Sequence, residues 1–346
     1  MKNIIVEKNI TIKDIAKLCN LSVGTVSRVI NNSNAVSSAS REKVNEVINQ
    51  TGFQPNSVAQ SMVSKKSGIV GIVVPEINNP FLSGLVERLQ RYLTENRFSI
   101  MLCSSGYKYD EIVRFTDNLI QRNAEGVIFV ASDMHDENQI ARIRQRLSVV
   151  LISASFGGFD SVNIADWQSA FEVAEYLISM GHKRIACMGY NEDSLPTMER
   201  YRGYCDAMKK HGLALKPEYQ MPTDYITDNL HSRGYIMANA LLSLSEPPTA
   251  IFAINDFYAI NAYFAVKEKG LNVGKDISIV GYDDIDICQL VNPALTTVRC
   301  QVETLASLAA DILIKNMQSG KPADVKSILL TGELIKRESV VNCRED

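Results

Sequence analysis

From Ile69 onward, short apolar runs alternate with stretches of helical period, and this alternation constrains the fold more than any other feature of the chain. Ile69–Val74, Ser99–Cys103, Val127–Val130, Val149–Ile152, Ile185–Met188, Ala250–Ala253 and Ile277–Val280 read as buried strands. Helical stretches lie between them, such as Pro80–Asn96, Ser169–Met180, Arg202–His211 and Phe257–Lys269. Such alternation predicts parallel sheets covered by helices on both faces. About 280 residues exceed the usual size of a single core, so two lobes are expected. Open parallel sheets bind ligands at the carboxyl ends of their strands. Two facing sheets therefore make a cleft suited to a small polar molecule bound by lobe closure.

The first sixty-six residues differ in kind. They carry nine Lys/Arg and four Asp/Glu, a net charge of +5, whereas the whole chain carries -3 and the remainder therefore -8. A basic head on an acidic body points to a nucleic-acid-binding module. Thr11 and Asp14 have the spacing of a capping box, and Ile12, Ile15, Ala16 and Cys19 follow at helical period. After a short turn at Asn20-Leu21, Ser22 can cap a second helix, Val23–Ile30, with Val26, Val29 and Ile30 inward. Ser37 caps a third, with Val44, Val47 and Ile48 inward, and Gly52 stops it. Three short helices with a tight turn between the first two form a helix-turn-helix. Val23, Gly24, Ser27 and Arg28 lie off the apolar face of the second helix and are free to meet a major groove.

Thr11-Ile-Lys-Asp-Ile-Ala-Lys-Leu, Leu21-Ser-Val-Gly-Thr-Val-Ser-Arg-Val-Ile-Asn-Asn32 and Val36-Ser resemble the DNA-binding head of the lactose-repressor/galactose-repressor family. The likeness continues through Arg41-Glu-Lys-Val44 and Gly52-Phe-Gln-Pro-Asn56 to Ala59. It implies that Thr11 belongs to the DNA-binding surface, that Val23 and Gly24 face bases, that Arg28 reads a guanine, and that Ser22, Thr25, Ser27, Asn31 and Ser37 hold phosphates. Gly24 departs from a base-reading role, because it has no side chain and costs the helix about 1 kcal/mol relative to Ala. Either little sequence is read there, or glycine lets the helix approach the DNA backbone closely. Asn56 can cap a short segment to about Val63, too short to be stable alone. The resemblance makes this a hinge helix, with Asn56 and Ala59 at the DNA. Met62 then stands where a leucine usually wedges into the minor groove. An ordinary flexible linker is the alternative, and off DNA both descriptions hold.

The body is similar to the same family, and to the periplasmic sugar-binding fold behind it. The stretches concerned are Val74-Pro-Glu-Ile-Asn-Asn-Pro-Phe81, Gly181-His-Lys-Arg-Ile185, Arg200-Tyr-Arg-Gly-Tyr204, Ala253-Ile-Asn-Asp256, Ile279-Val-Gly-Tyr-Asp-Asp284 and Asn292-Pro-Ala-Leu-Thr-Thr297. The expected architecture is an all-α helix-turn-helix DNA-binding head plus an α/β two-lobed periplasmic-binding-protein-like core. The head would span residues 1–55, the hinge and linker 56–67 and the core 68–346. One lobe would comprise about 68–166 and 302–328, the other about 167–299 and 330–346.

For the effector site the resemblance implies Phe81, Arg200, Asn255 and Asp283, with Tyr225 near a ring-stacking aromatic and Trp167 and Phe257 as further aromatic candidates. A guanidinium fork and a carboxylate acceptor suit a polyhydroxyl ring. Arg200 has a surface ion pair as its alternative role, and the aromatics have core filling. Ser153 stands where many relatives carry an aspartate, and Cys300 where a glutamine often points into the cleft. Both changes reduce hydrogen bonding and point to an effector smaller than, or oriented differently from, the usual sugar.

Other functions find little support. H-E-x-x-H, G-x-S-x-G and G-x-G-x-x-G are absent, and Gly270-Leu-Asn-Val-Gly-Lys275 is one residue short of a phosphate loop and reads as a turn. Asp283 and Asp284 are consecutive and project differently, without a partner base or nucleophile. His182 reads as structural, and His135, His211 and His231 have no metal-like spacing. Seven scattered cysteines without a C-x-x-C pair predict reduced thiols, and no metal or cofactor is expected. The start has no apolar signal-like segment and no run approaches a membrane span, so a cytoplasmic protein without membrane contact is expected. The expected partners are operator DNA, a sugar or related metabolite, and a second copy of the chain. No leucine heptad closes the sequence, which favours a homodimer over a tail-linked tetramer. The resemblance implies a transcriptional repressor that binds a pseudo-palindromic operator and is controlled by a small metabolite, expected to be a sugar, in the cleft between the lobes; the alternatives are the same regulator controlled by a purine or a phosphoprotein corepressor, a solute-binding protein, or a sugar enzyme.

Overall fold

The computed structural model describes residues 10–30, 35–53, 67–132, 134–223, 230–319 and 325–343, apart from the side chains of 230–232. The chain divides into two units, Met1–Ser67 and Gly68–Asp346.

The first unit holds three helices, α1 (Ile12–Leu18), α2 (Val23–Ile30) and α3 (Ser38–Thr51). Each start has a local cause. The Asp14 carboxylate accepts from the Thr11 backbone N–H at 3.0 Å and from its hydroxyl at 2.6 Å. Ser22 Oγ accepts from Thr25 N–H at 3.1 Å, and Ser37 Oγ from Ser40 N–H at 3.3 Å. These bonds satisfy donors that a helix start leaves without partners. At the far end of α3, Gly52 adopts φ +64°, and its N–H reaches Ile48 O at 2.9 Å. Ile15, Ala16, Cys19, Val26, Val29 and Val44 are buried together, with Val47, Ile48 and Phe53 packed around them.

In the second unit, β1 (Ile69–Val74), β2 (Ser99–Ser104), β3 (Gly126–Val130), β4 (Ser148–Ile152), β5 (Asp160–Ile164) and β11 (Ser327–Leu330) form one sheet in the order β11-β5-β4-β3-β1-β2. Every neighbouring pair in it is parallel. Helices α4 (Pro80–Glu95), α5 (Tyr109–Gln121) and α6 (Glu137–Arg146) connect successive strands. A second parallel sheet has the order β7-β6-β8-β9, from β6 (Ile185–Met188), β7 (Gln220–Met221), β8 (Ala250–Ala253) and β9 (Ser278–Val280). Its helices are α7 (Asp166–Ser179), α8 (Leu195–Lys210), α9 (Leu230–Leu242) and α10 (Asp256–Glu268).

The chain passes three times between the sheets. It crosses at Ala165 from β5 into α7, again after β10 (Thr297–Arg299) into α11 (Val302–Ser319), and finally from β11 into β12 (Glu333–Ile335). Strands β10 and β12 pair antiparallel, so two of the crossings are tied side by side.

Three differences from the sequence reading bear on the site. Helix α8 begins at Leu195, seven residues before the expected Arg202, with Pro196 in its first turn. Arg200 therefore sits on a helix. Helix α7 begins at Asp166 rather than Ser169, which brings Asp166 and Trp167 into its first turn. Strand β5 escapes an apolar pattern because it carries Asp160, Ser161 and Asn163. Asp160 earns burial by accepting from Asn316 Nδ2 at 2.7 Å and Lys326 N–H at 2.6 Å.

Candidate DNA-reading surface and effector site

Val26 and Val29 anchor α2 in the head's core, and the opposite face carries exposed Ser22, Gly24 and Arg28. Val23, also on that face, is 42% exposed, a large apolar side chain left in water on a small module. Thr25 and Ser27 are half-buried, and the hydroxyls of Ser22 and Thr25 are hydrogen bonded to each other at 2.9 Å. Thr11, Ser22 and Ser37 thus have structural work at helix starts. A Cβ added at Gly24 would meet only Ser22 Oγ, at 3.7 Å, so the head's packing does not require glycine there. Asn31, Asn56, Ala59 and Met62 lie outside the described residues.

In the second unit the structure gathers a buried charge cluster from α8, the first turn of α7 and the segments after β8 and β9. Arg200 and Asp283 are 6% and 7% exposed. Arg200 Nε donates to Asp166 Oδ1 at 2.7 Å, its Nη1 donates to Ile254 O at 2.6 Å, and Asp283 Oδ1 stands 3.5 Å from Nη1. The guanidinium lies over the Tyr282 ring, 3.7 Å from its centroid. Burial opposes the Arg200 charge, but the Asp166 and Asp283 carboxylates outweigh it and hold the guanidinium well above its ordinary pKa. Burial raises the Asp283 pKa strongly; Arg200 opposes this, while Asp256 and Asp166 add to it. Asp166 is likewise raised by burial and lowered by Arg200. Asp283 Oδ1 accepts no hydrogen bond, although it is buried. A buried acceptor left open in this way can receive a hydroxyl.

The backbone explains why this cluster forms. Gly203, one turn beyond Arg200, lets α7 and α8 meet: a Cβ there would lie 2.2 Å from Trp167 O and 2.9 Å from Phe171 N. Asp283 and Asp284 have φ of +119° and +57°, and this left-handed bend sends their side chains different ways. Asp283 turns to Arg200, whereas Asp284 accepts from Arg299 Nε at 2.7 Å and Arg337 Nη2 at 2.6 Å.

The other candidates are placed as follows. Asn255 is buried and N-caps α10, with Oδ1 accepting from Tyr258 N–H at 2.8 Å. It follows Ile254, whose carbonyl holds Arg200. Cys300 is buried; burial, then Asp283, keep its thiol protonated. Ser153 directly follows β4, at φ +49°, and lines one cavity together with Asp166. Phe81 stands on the first turn of α4, half-buried, in the other sheet's lobe. Phe257 is half-buried on the first turn of α10. Trp167 is 40% exposed, donates from Nε1 to Asp206 Oδ2 at 3.0 Å and stacks on Phe171. Tyr225 lies outside the described residues. Asp166, Tyr282 and the Ile254 carbonyl were missed by sequence reasoning. Asp166 carries no local signal in the sequence, because the strand before it, β5, lacks an apolar pattern.

His182 is buried, with Nδ1 3.0 Å from Thr249 Oγ1 and Nε2 2.9 Å from Ser278 Oγ, and burial lowers its pKa. It staples strands rather than serving the cleft. All seven cysteines are free, and among the described residues no cluster of His, Cys, Asp or Glu has the form of a metal site. Among the same residues no helix is long and apolar enough to cross a membrane.

A helix-turn-helix unit and a two-sheet core with a buried polar floor define a ligand-responsive DNA-binding regulator. Comparisons agree. Residues 11–56 match the family model described as bacterial regulatory proteins, lacI family, and residues 174–340 match a periplasmic binding protein-like domain. The chain is 32% identical to catabolite control protein A of Priestia megaterium, covering 89% of this chain and 93% of that protein. It is 33% identical to the ribose operon repressor of Escherichia coli (strain K12), covering 88% and 92%. Its structure is similar to that of the lac repressor dimer bound to operator and the anti-inducer ONPF, with a TM-score of 0.84, 26% identity, and coverage of 96% of this chain and all of that one. The chain belongs to the lacI family of bacterial regulatory proteins. It is a DNA-binding transcriptional regulator and not an enzyme.

Proposed function

We propose that this regulator is a repressor that binds a pseudo-palindromic operator as a homodimer and is controlled by a sugar held between the lobes of its core. The observation that carries the effector half is the Arg200–Asp166–Asp283 cluster: a buried guanidinium ion-paired with both carboxylates, of which Asp283 Oδ1 accepts no hydrogen bond. An anionic ligand would find its natural partner neutralised, whereas a hydroxyl can donate to Asp283. The names of similar proteins, a ribose operon repressor among them, point the same way.

In the head, Val23 and Gly24 face bases, Arg28 reads a guanine, and Thr11, Ser22, Thr25, Ser27, Asn31 and Ser37 hold the backbone. Asn56, Ala59 and Met62 form the hinge that opens the minor groove. The organisation is head 1–55, hinge 56–67 and core 68–346, with lobes exchanging at the three crossings. The sugar must bind two lobe arrangements unequally for anything to move at the DNA. Self-association uses the apolar face of the four-stranded lobe. Phe264 is 64% exposed there and Leu290 80%, beside a cavity of about 530 Å³ lined by Ile260, Leu271, Val291 and Pro293.

A gel shift on a pseudo-palindrome centred on CpG, with and without sugars, tests the reading. Binding that weakens steeply with salt and changes with one sugar is expected. No DNA binding under any condition would overturn it. Phe264→Asp with Leu290→Asp should give a monomer by light scattering and lose most of the shift.

A further inference from the structure

We propose that residues 297–303, the second crossing between the lobes, act as a strap that couples the Asp283 backbone in the four-stranded lobe to α4 in the six-stranded lobe, with Arg299 and Glu303 as its positioning residues. The coupling goes beyond the sugar reading above and does not depend on it.

The crossing is extended through β10, and α11 starts at Val302, so successive side chains before the helix face opposite ways. Val298 and Cys300 are buried and anchor the strap in the core, whereas Arg299, Gln301 and Glu303 are exposed. Asp283 N–H donates to Val298 O at 2.8 Å, so the backbone of the charge cluster is bonded directly to the strap. Thr297 Oγ1 donates to Asp256 Oδ1 at 2.5 Å, and Asp256 Oδ2 accepts from Ile285 N–H at 3.0 Å. One buried carboxylate thus fixes both the strap and the bend at Asp283-Asp284. Glycine is needed beside it: a Cβ at Gly281 would lie 2.1 Å from Asp256 Oδ1. Arg299 adds two ion pairs, from Nε to Asp284 Oδ2 at 2.7 Å and from Nη1 to Glu333 Oε2 at 3.6 Å, the second reaching β12 of the third crossing. Gln301 Nε2 donates to Thr331 O, on that same crossing, at 3.2 Å.

The far end is held in the other lobe. Glu303, on the first turn of α11, uses both carboxylate oxygens. Its Oε1 accepts from Arg91 Nη2 at 2.5 Å and Tyr92 OH at 2.7 Å, and its Oε2 from Arg88 Nε at 3.0 Å. All three donors lie on α4, whose first turn carries Phe81. A single exposed ion pair contributes little, but a carboxylate that gathers three donors from one helix forms a network of defined geometry. With both ends clamped, a displacement of Asp283 passes along a short extended segment to α4. Hydrogen-bond and ion-pair networks of this kind carry coupling between distant sites, and the coupling is what has to be measured.

The chain has one tryptophan, which reports on this coupling without any ligand. Trp167 lines a cavity together with Ser153, Asn163 and Leu329 of the opposite lobe, so its exposure follows the arrangement of the lobes. Since Trp167 is 40% exposed, full exposure would raise acrylamide quenching about 2.5-fold, and partial release of the lobes about 1.5-fold. The test measures this quenching in the full chain, free of sugar and DNA. Glu303→Gln and Arg299→Gln, both at exposed side chains, should each give the smaller rise. The double variant should rise no further than the larger single one, because releasing either end slackens the whole strap. Glu303→Asp, which keeps the charge, should recover part of the wild-type value. Glu246→Gln removes a comparable exposed carboxylate, paired with Lys216 and Arg184, and should leave quenching unchanged. Thermal melting checks that the variants fold. Single effects that add in the double variant would make the two clamps independent and overturn the proposal. So would quenching that neither substitution moves, or that Glu246→Gln moves equally. None of these outcomes touches the sugar reading, because no sugar enters the test.

Discussion

The exposed face of α2 and the buried charge cluster of the core use similar residues in opposite ways. Arg28 is exposed on a helix whose stability comes from Val26 and Val29 behind it. Arg200 is buried, hydrogen bonded to Asp166 and Ile254 O, and stacked over Tyr282. Under the proposed function, base reading at Arg28 is separable from folding, whereas Thr11, Ser22 and Ser37 would hold phosphates and also start helices. In the core, Arg200 and Asp283 hold the lobe together, so under the proposed function recognition there cannot be changed without unsettling the structure.

Replacing each arginine should break this contrast open. Arg200→Ala leaves two buried carboxylates without their cation, a defect that typically costs 3–5 kcal/mol. Urea unfolding should show a loss of roughly that size, together with loss of any sugar-induced thermal shift. Retained stability would mean that the pair with Asp166 contributes nothing to the fold. Asp283→Asn is milder, because the amide keeps the shape and leaves the Arg200–Asp166 pair intact. Its signature is in pH. Burial raises the Asp283 pKa in the folded state above its unfolded value. The folded state then binds the extra proton, so stability falls as pH rises from the ordinary aspartate range toward the raised value. Melting of the wild type and of Asp283→Asn should therefore diverge with rising pH, the variant gaining above that range and not below it. Parallel curves would place the pH response elsewhere.

These two residues also show what could be read from the chain beforehand. Arg200 and Asp283 were found through the resemblance, and the alternation after Ile69 gave the parallel sheets. Asp166 escapes sequence reasoning because the helical period of α7 reads from Ser169, whereas the helix starts at the crossing, three residues earlier. Strand β5 escapes the pattern because its Asp160 accepts from Asn316 and Lys326, partners that no local pattern announces. The short β10 and β12 escape for a similar reason: each has three residues, and each exists because the other is beside it. Local period reports what a segment buries. Contacts made across the sequence, which build most of the cleft, leave no such trace.

On the head side the expected effects are smaller and fall on DNA alone. Arg28→Ala should cost about 1–3 kcal/mol of operator binding and relax preference at one base pair, as for loss of a bidentate guanine contact. Its melting should stay within about 0.5 kcal/mol of the wild type, as for an exposed substitution. An Arg28→Ala head that melts early would undo the separation between reading and folding.

Gly24→Ala sharpens the same separation further. Glycine inside a helix costs up to about 1 kcal/mol relative to alanine. A Cβ at this position meets nothing closer than Ser22 Oγ at 3.7 Å, an ordinary contact. Nothing in the head's own packing accounts for the glycine, so its reason has to lie in what α2 touches. Amide exchange in α2 should slow in Gly24→Ala while operator affinity falls, since the added methyl holds the helix away from the DNA backbone. If affinity rises along with protection, close approach is not what glycine provides, and position 24 is one where the groove goes unread.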